Sequence, residues 1–215
     1  MRKYIAEFIG TFAIVFCGTG AIIINQQTGG VVTHVGVAMT FGLIVIAMIY
    51  TFGNVSGAHF NPAVTIAFSF AKLFPVKNIF SYIAVQICGA LAASLLLKFL
   101  FPENINLGAS LPAGSSVQSF VLELILTFIL MLVILNVSHG SKEVGLIAGA
   151  AIGSTVMLEA MFAGPVSGAS MNPARSIGPA VIAQNLSSVW IYIFAPIVGA
   201  ICAAITWQLM KEKYN

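Results

Sequence analysis

The chain has 215 residues, of which 59% are hydrophobic and 7% charged, and its mean hydropathy is +1.02. So little polar surface cannot cover a soluble core, and the composition describes an integral membrane protein. The net charge of +3 is scattered, which excludes a nucleic-acid surface, and 215 residues make one domain, 1–215, with no room for a soluble catalytic module.

Arg2 and Lys3 precede an apolar run over residues 4–24 that is too long for a signal peptide and is interrupted by Glu7. Further runs over 33–53, 79–101, 117–137, 144–163 and 189–210 each come near the roughly 20 residues that a spanning helix needs. Six spans put both termini on one side. Loops on that side carry Arg2, Lys3, Lys72, Lys77, Lys142, Lys211 and Lys213, against Lys98 and Arg175 on the other. The positive-inside rule then predicts cytoplasmic termini in a multi-pass protein of the plasma or inner membrane. The longest loop, 102–116, shows ordinary turn chemistry in Pro112 and Gly114. Gly145, Gly149 and Gly153 in span five, Gly89 and Ala93 in span three, and Gly199 and Ala203 in span six recur at four-residue spacing, which lets helix backbones approach. Cys17, Cys88 and Cys202 each lie inside an apolar run and read as small core residues, not as a disulfide or metal framework.

One loop is written twice. Residues 56–65 read Ser-Gly-Ala-His-Phe-Asn-Pro-Ala-Val-Thr, and residues 167–176 read Ser-Gly-Ala-Ser-Met-Asn-Pro-Ala-Arg-Ser. In each copy an Asn (Asn61, Asn172) stands at a helix N-cap and a Pro (Pro62, Pro173) at the first helical position, where its missing N–H costs nothing; Ala63 and Ala174 follow. The helix after Asn61 ends by Lys72, so it reaches roughly 17 Å, about half of a ~30 Å hydrocarbon core. Glu7, Thr11 and Phe12 of span one also match Glu123, Thr127 and Phe128 of span four, 116 residues on, while Asn61 and Asn172 lie 111 apart. The chain thus consists of two repeats, about 1–104 and 117–215, each of three spans and one half-helix. Three is odd, so the second repeat lies upside down relative to the first, and the half-helices enter from opposite faces with their N-termini meeting near the midplane. The expected fold is an all-α membrane protein of six transmembrane helices and two re-entrant half-helices in an inverted repeat, a plan of membrane transport proteins.

Two Asn amides at opposed half-helix tips, backed by two positive dipole ends, offer hydrogen bonds to a solute oxygen and repel cations, hydronium included. Arg175 falls at membrane depth, where Arg is rare unless it lines an aqueous cavity; pairing with a buried Glu is the alternative. Glu7 and Glu123 are buried acceptors that need partners, with a proton relay as the rival role. For Glu159 a pair with Arg175, a place in the vestibule and a contact with another helix all stand open. His59, in the first loop, is a candidate pore-lining residue, whereas His34 and His139 lie at span ends as interfacial residues. The chain has no Asp, no clustered His and Cys to hold a metal, and no Ser, His and carboxylate set, so neither enzyme chemistry nor a cofactor is expected.

Paired Asn-Pro-Ala loops, a Glu in spans one and four, and Arg175 after the second loop together resemble the aquaporin (major intrinsic protein) family over essentially the whole chain. The resemblance implies a homotetramer with one pore per subunit, passive conduction, exclusion of ions and protons, and Glu7 and Glu123 holding the re-entrant loops. It also implies a narrow filter of four positions, which here are Phe41, Ala160, Ala169 and Arg175. Strictly water-selective members typically have His where this chain has Ala160, so the resemblance implies a wider, half-apolar filter. Residues 163–180 are similar to the nodulin-26-like branch, whose members conduct glycerol and uncharged metalloid acids such as boric and arsenious acid; Tyr192 and Ile193 fit the same pattern. Ser176 and Ala180 depart from the Asp and basic residue of glycerol facilitators, and Phe41 departs from the Trp or small residue frequent in the nodulin-like branch. Short termini suggest a prokaryotic relative.

The expected function is therefore a passive channel for water and small uncharged solutes. A strictly water-selective channel, an ion-coupled secondary transporter and a junctional protein with a vestigial pore are the alternatives.

Overall fold

The computed structural model describes residues 1–138 and 145–210. Among these, every regular element is helical: α1 (Arg2–Gln27), α2 (Thr33–Ser56), α3 (Pro62–Phe70), α4 (Ile79–Leu100), α5 (Ser116–Ser138), α6 (Ala148–Ser167), α7 (Pro173–Ile182) and α8 (Val189–Met210), with one 3-10 turn (Val76–Asn78) leading into α4. Six of them, all but α3 and α7, are long and apolar enough to cross a membrane. The expected start of span five, Val144, lies outside the described residues, as do His139, Lys142, Lys211 and Lys213. Span five also runs past its expected end at residue 163, through Pro165 to Ser167.

The two short helices have 9 and 10 residues, roughly 14 and 15 Å at 1.5 Å per residue, and each begins as its sequence dictates. Asn61 and Asn172 are extended N-caps whose side-chain oxygens accept from Ala63 N at 2.9 Å and Ala174 N at 3.0 Å, with Pro62 and Pro173 opening the helices. The preceding spans stop alike: Gly57 and Gly168 close α2 and α6 at φ 87° and 85°, a left-handed conformation that only a residue without Cβ adopts at little cost.

The halves interlock. Half-helix α3 packs mainly on α8 of the other half, and α7 mainly on α4, so neither loop is held by its own repeat alone. The α1–α4 and α5–α8 pairs come close at Gly89 and Gly199, where a Cβ would strike the carbonyl oxygens of Phe8 and Leu124. Gly149 and Gly153 likewise sit against Tyr50 and Ile46 of α2; Gly145 meets nothing within 4 Å, so close packing is not what its missing side chain serves. Large apolar side chains such as Leu43, Phe80, Phe99, Phe162 and Phe194 point outward, as a lipid-facing surface requires.

Candidate functional site

Between the halves lies a cavity of about 520 Å³ whose wall includes Asn61, Asn172, Phe41, Ala160, Ala169, Arg175 and His59. Pro62, Ala63, Pro173 and Ala174 are buried behind it, as the first turns of the half-helices.

The wall is irregular backbone at membrane depth. Ala58 and Phe60 in the first loop, and Ala169 and Met171 in the second, all have positive φ, between 40° and 52°. Each such residue costs of order 1 kcal/mol, so something must hold the loops in this form. Two carboxylates do. Glu7 Oε1 accepts from Ser56 Oγ (2.7 Å) and His59 N (2.9 Å), and its Oε2 from Phe60 N (2.7 Å) and Gln86 Nε2 (2.8 Å). Glu123 Oε1 accepts from Ser167 Oγ (2.7 Å) and Ser170 N (2.9 Å), and its Oε2 from Met171 N (2.8 Å). Tyr82 and Tyr192 repeat the pattern a layer out, donating to the Ser56 and Ser167 carbonyls at 2.8 and 2.6 Å. Both Glu residues are fully buried.

At the centre each Asn reaches across the pseudo-twofold. Asn61 Nδ2 donates to the Met171 carbonyl at 2.8 Å, and Asn172 Nδ2 to the Phe60 carbonyl at 2.9 Å. An amide has two N–H bonds, so each Asn commits one to the opposite loop and keeps one for the cavity. His59 is fixed by Thr65 Oγ1, 3.1 Å from its Nδ1, and by stacking on Phe68 at 4.8 Å.

At the other end of the cavity the Arg175 guanidinium lies 5.0 Å from the centre of the Phe41 ring and donates through Nη1 to the Gly108 carbonyl at 2.9 Å. The Phe41 ring lies in a notch left by Gly18, where a Cβ would strike it. Ala160 and Ala169 line the same cavity, each with nothing larger than a methyl group.

The long loop expected to be an ordinary turn is part of this site. Gly108, at φ 68° and tight against Thr19, presents the carbonyl that anchors Arg175, and Ser110 Oγ accepts from Ser176 Oγ at 2.9 Å, while Ser176 Oγ also lies 2.6 Å from Ser170 Oγ. Leu107, fully buried, anchors this loop, but its burial belongs to the structure and no sequence signal marked the loop as part of the site. Glu159 does not pair with Arg175: both its oxygens are buried without a partner among the described residues, and it is absent from the wall of this cavity.

The major intrinsic protein family model matches residues 1–207. The chain is 46% identical over 213 residues to Aquaporin NIP1-3 of Oryza sativa subsp. japonica, covering 98% of this chain and 74% of that protein. It is 42% identical over 212 residues to Nodulin-26 of Glycine max, covering 98% and 78%. Its structure is similar to the X-ray structure of the aquaglyceroporin from Plasmodium falciparum, with a TM-score of 0.83 and 28% identity over 97% of this chain and 96% of that one. The curated relatives named are plant proteins, so the expectation of a prokaryotic relative is not borne out.

Proposed function

Because the chain belongs to the major intrinsic protein family and is a membrane channel for water and small solutes, we propose that it passes glycerol and small uncharged hydroxides such as boric or arsenious acid beside water. The observation that carries this reading is that Phe41, Ala160, Ala169 and Arg175 all line one cavity, with the Arg175 guanidinium 5.0 Å from the centre of the Phe41 ring. We take these four as the selectivity filter. Two of its four walls are methyl groups, so a carbon backbone slides along Phe41 and the alanines while its hydroxyls take the free N–H groups of Arg175.

Asn61 and Asn172, each with one N–H left over, form the central constriction, and the half-helix dipoles behind them exclude cations and protons. Conduction is passive and no reaction is catalysed. Glu7 and Glu123 spend their oxygens on loop backbone, which supports a holding role over a proton relay. The protein works as a homotetramer in the plasma or inner membrane, as the family resemblance implies, with both termini cytoplasmic; the placement of Arg2, Lys3, Lys72 and Lys77 supports that orientation. A strictly water-selective pore is the second reading, favoured by the contact between Arg175 and Phe41, which draws two walls together.

Stopped-flow light scattering on proteoliposomes separates the two. Fast shrinkage in an impermeant osmolyte followed by fast reswelling in glycerol, and then in boric acid, is the expected result. Fast shrinkage without reswelling would establish the water-selective pore.

A further inference from the structure

We propose that His34 is a positioning residue of the filter: a latch that ties the helix carrying Phe41 to the helix carrying Ala160. The proposal rests on the reading of those residues as the filter.

Pro165 lies inside α6 and has no N–H to give to the carbonyl four residues back, so the Met161 carbonyl loses its intrahelical donor. His34, near the start of α2, replaces it. Its ring Nε2 lies 2.8 Å from the Met161 oxygen, and because a carbonyl only accepts, that nitrogen carries the proton. The ring fits because residue 164 is Gly: a Cβ there would meet His34 Cε1 at 2.7 Å. Pro165 frees the acceptor, Gly164 just before it clears the space, and His34, 127 positions from its acceptor, fills it.

The first repeat has no such device. At the positions 111 residues earlier stand Gly53 and Asn54, and a Cβ on Gly53 would meet nothing within 4 Å. The latch therefore breaks the pseudo-symmetry at the filter end only. His34 lies seven residues before Phe41, two turns along one face of α2, and Met161 directly follows Ala160. The bond thus ties the two helices that carry these walls, two turns from Phe41 and next to Ala160, and so acts on their separation.

A double-mutant cycle between His34→Leu and Pro165→Ala tests this, because Pro165→Ala returns a donor to Met161 from its own helix. The full-length chain is reconstituted, and reswelling is measured in glycerol and in the longer polyol xylitol. His34→Leu is expected to lower the glycerol-over-xylitol permeability ratio about fivefold, the factor matching one hydrogen bond of ordinary net strength. His34→Gln, which keeps an N–H donor, should preserve the ratio, and in the Pro165→Ala background His34→Leu should change it little. An unchanged ratio in His34→Leu, or an equal loss in both backgrounds, overturns the proposal. Thermal unfolding of the four proteins in detergent reads the bond without any solute. Should glycerol prove impermeant, non-additive melting shifts would still establish the latch, and additive ones would refute it.

Discussion

Glu123 accepts the two backbone N–H groups at the turn of the second loop, those of Ser170 and Met171, where the first loop has Glu7 assisted by Gln86. Glu123→Leu would strand two buried N–H donors, each costing roughly 1–3 kcal/mol, so the variant is expected to melt well below the parent protein, as thermal unfolding in detergent would show. Ala160→His should act on passage instead. An imidazole in place of a methyl group narrows the ring and adds a polar edge, so glycerol flux should fall far more than water flux in stopped-flow assays; equal losses would refute the width argument. The carboxylates, Asn61, Asn172 and Arg175 were legible because a polar side chain in an apolar run needs a reason. The Gly108 carbonyl that anchors Arg175 was not, since a backbone acceptor leaves no mark in the sequence.

At the scale of elements, helix starts and stops were local facts. Asn-Pro begins α3 and α7, and Gly57 and Gly168 end α2 and α6, each within one turn. Which glycines serve close packing was not local: three share a four-residue spacing in span five, yet only Gly149 and Gly153 touch a neighbour. A matched pair of substitutions follows. Gly199→Ala drives a methyl group into the Leu124 carbonyl and should cost about 1–3 kcal/mol of stability, whereas Gly145→Ala should be tolerated. Yield of monodisperse protein and melting temperature in detergent would check both. α6 runs on through Pro165, and the Met161 carbonyl that Pro165 leaves without an intrahelical donor meets His34 from far away in sequence, a contact that no boundary rule applied to that span alone could have found.

For the whole molecule, the crossed packing of α3 on α8 and α7 on α4 makes the pore a property of both repeats together. The two halves expressed as separate chains should each fail to yield folded protein, while co-expression should restore some, as size-exclusion profiles would report. Orientation has its own check: a protease site placed at either terminus should be cut only from the cytoplasmic side of sealed vesicles. Cleavage from the opposite side would overturn the inference drawn from lysine and arginine placement.

The sequence by itself determined the membrane setting, the duplicated loop and the capping of both half-helices. These follow from composition, periodicity and spacing, which act over a few residues or repeat along the chain. Only the tertiary structure decided which carbonyl holds Arg175, that each Asn gives one N–H to the opposite loop, that Glu159 stands without a partner among the described residues and that His34 reaches α6. Such contacts join residues tens to more than a hundred positions apart, and hydrogen-bond geometry between them exists only once the helices have packed.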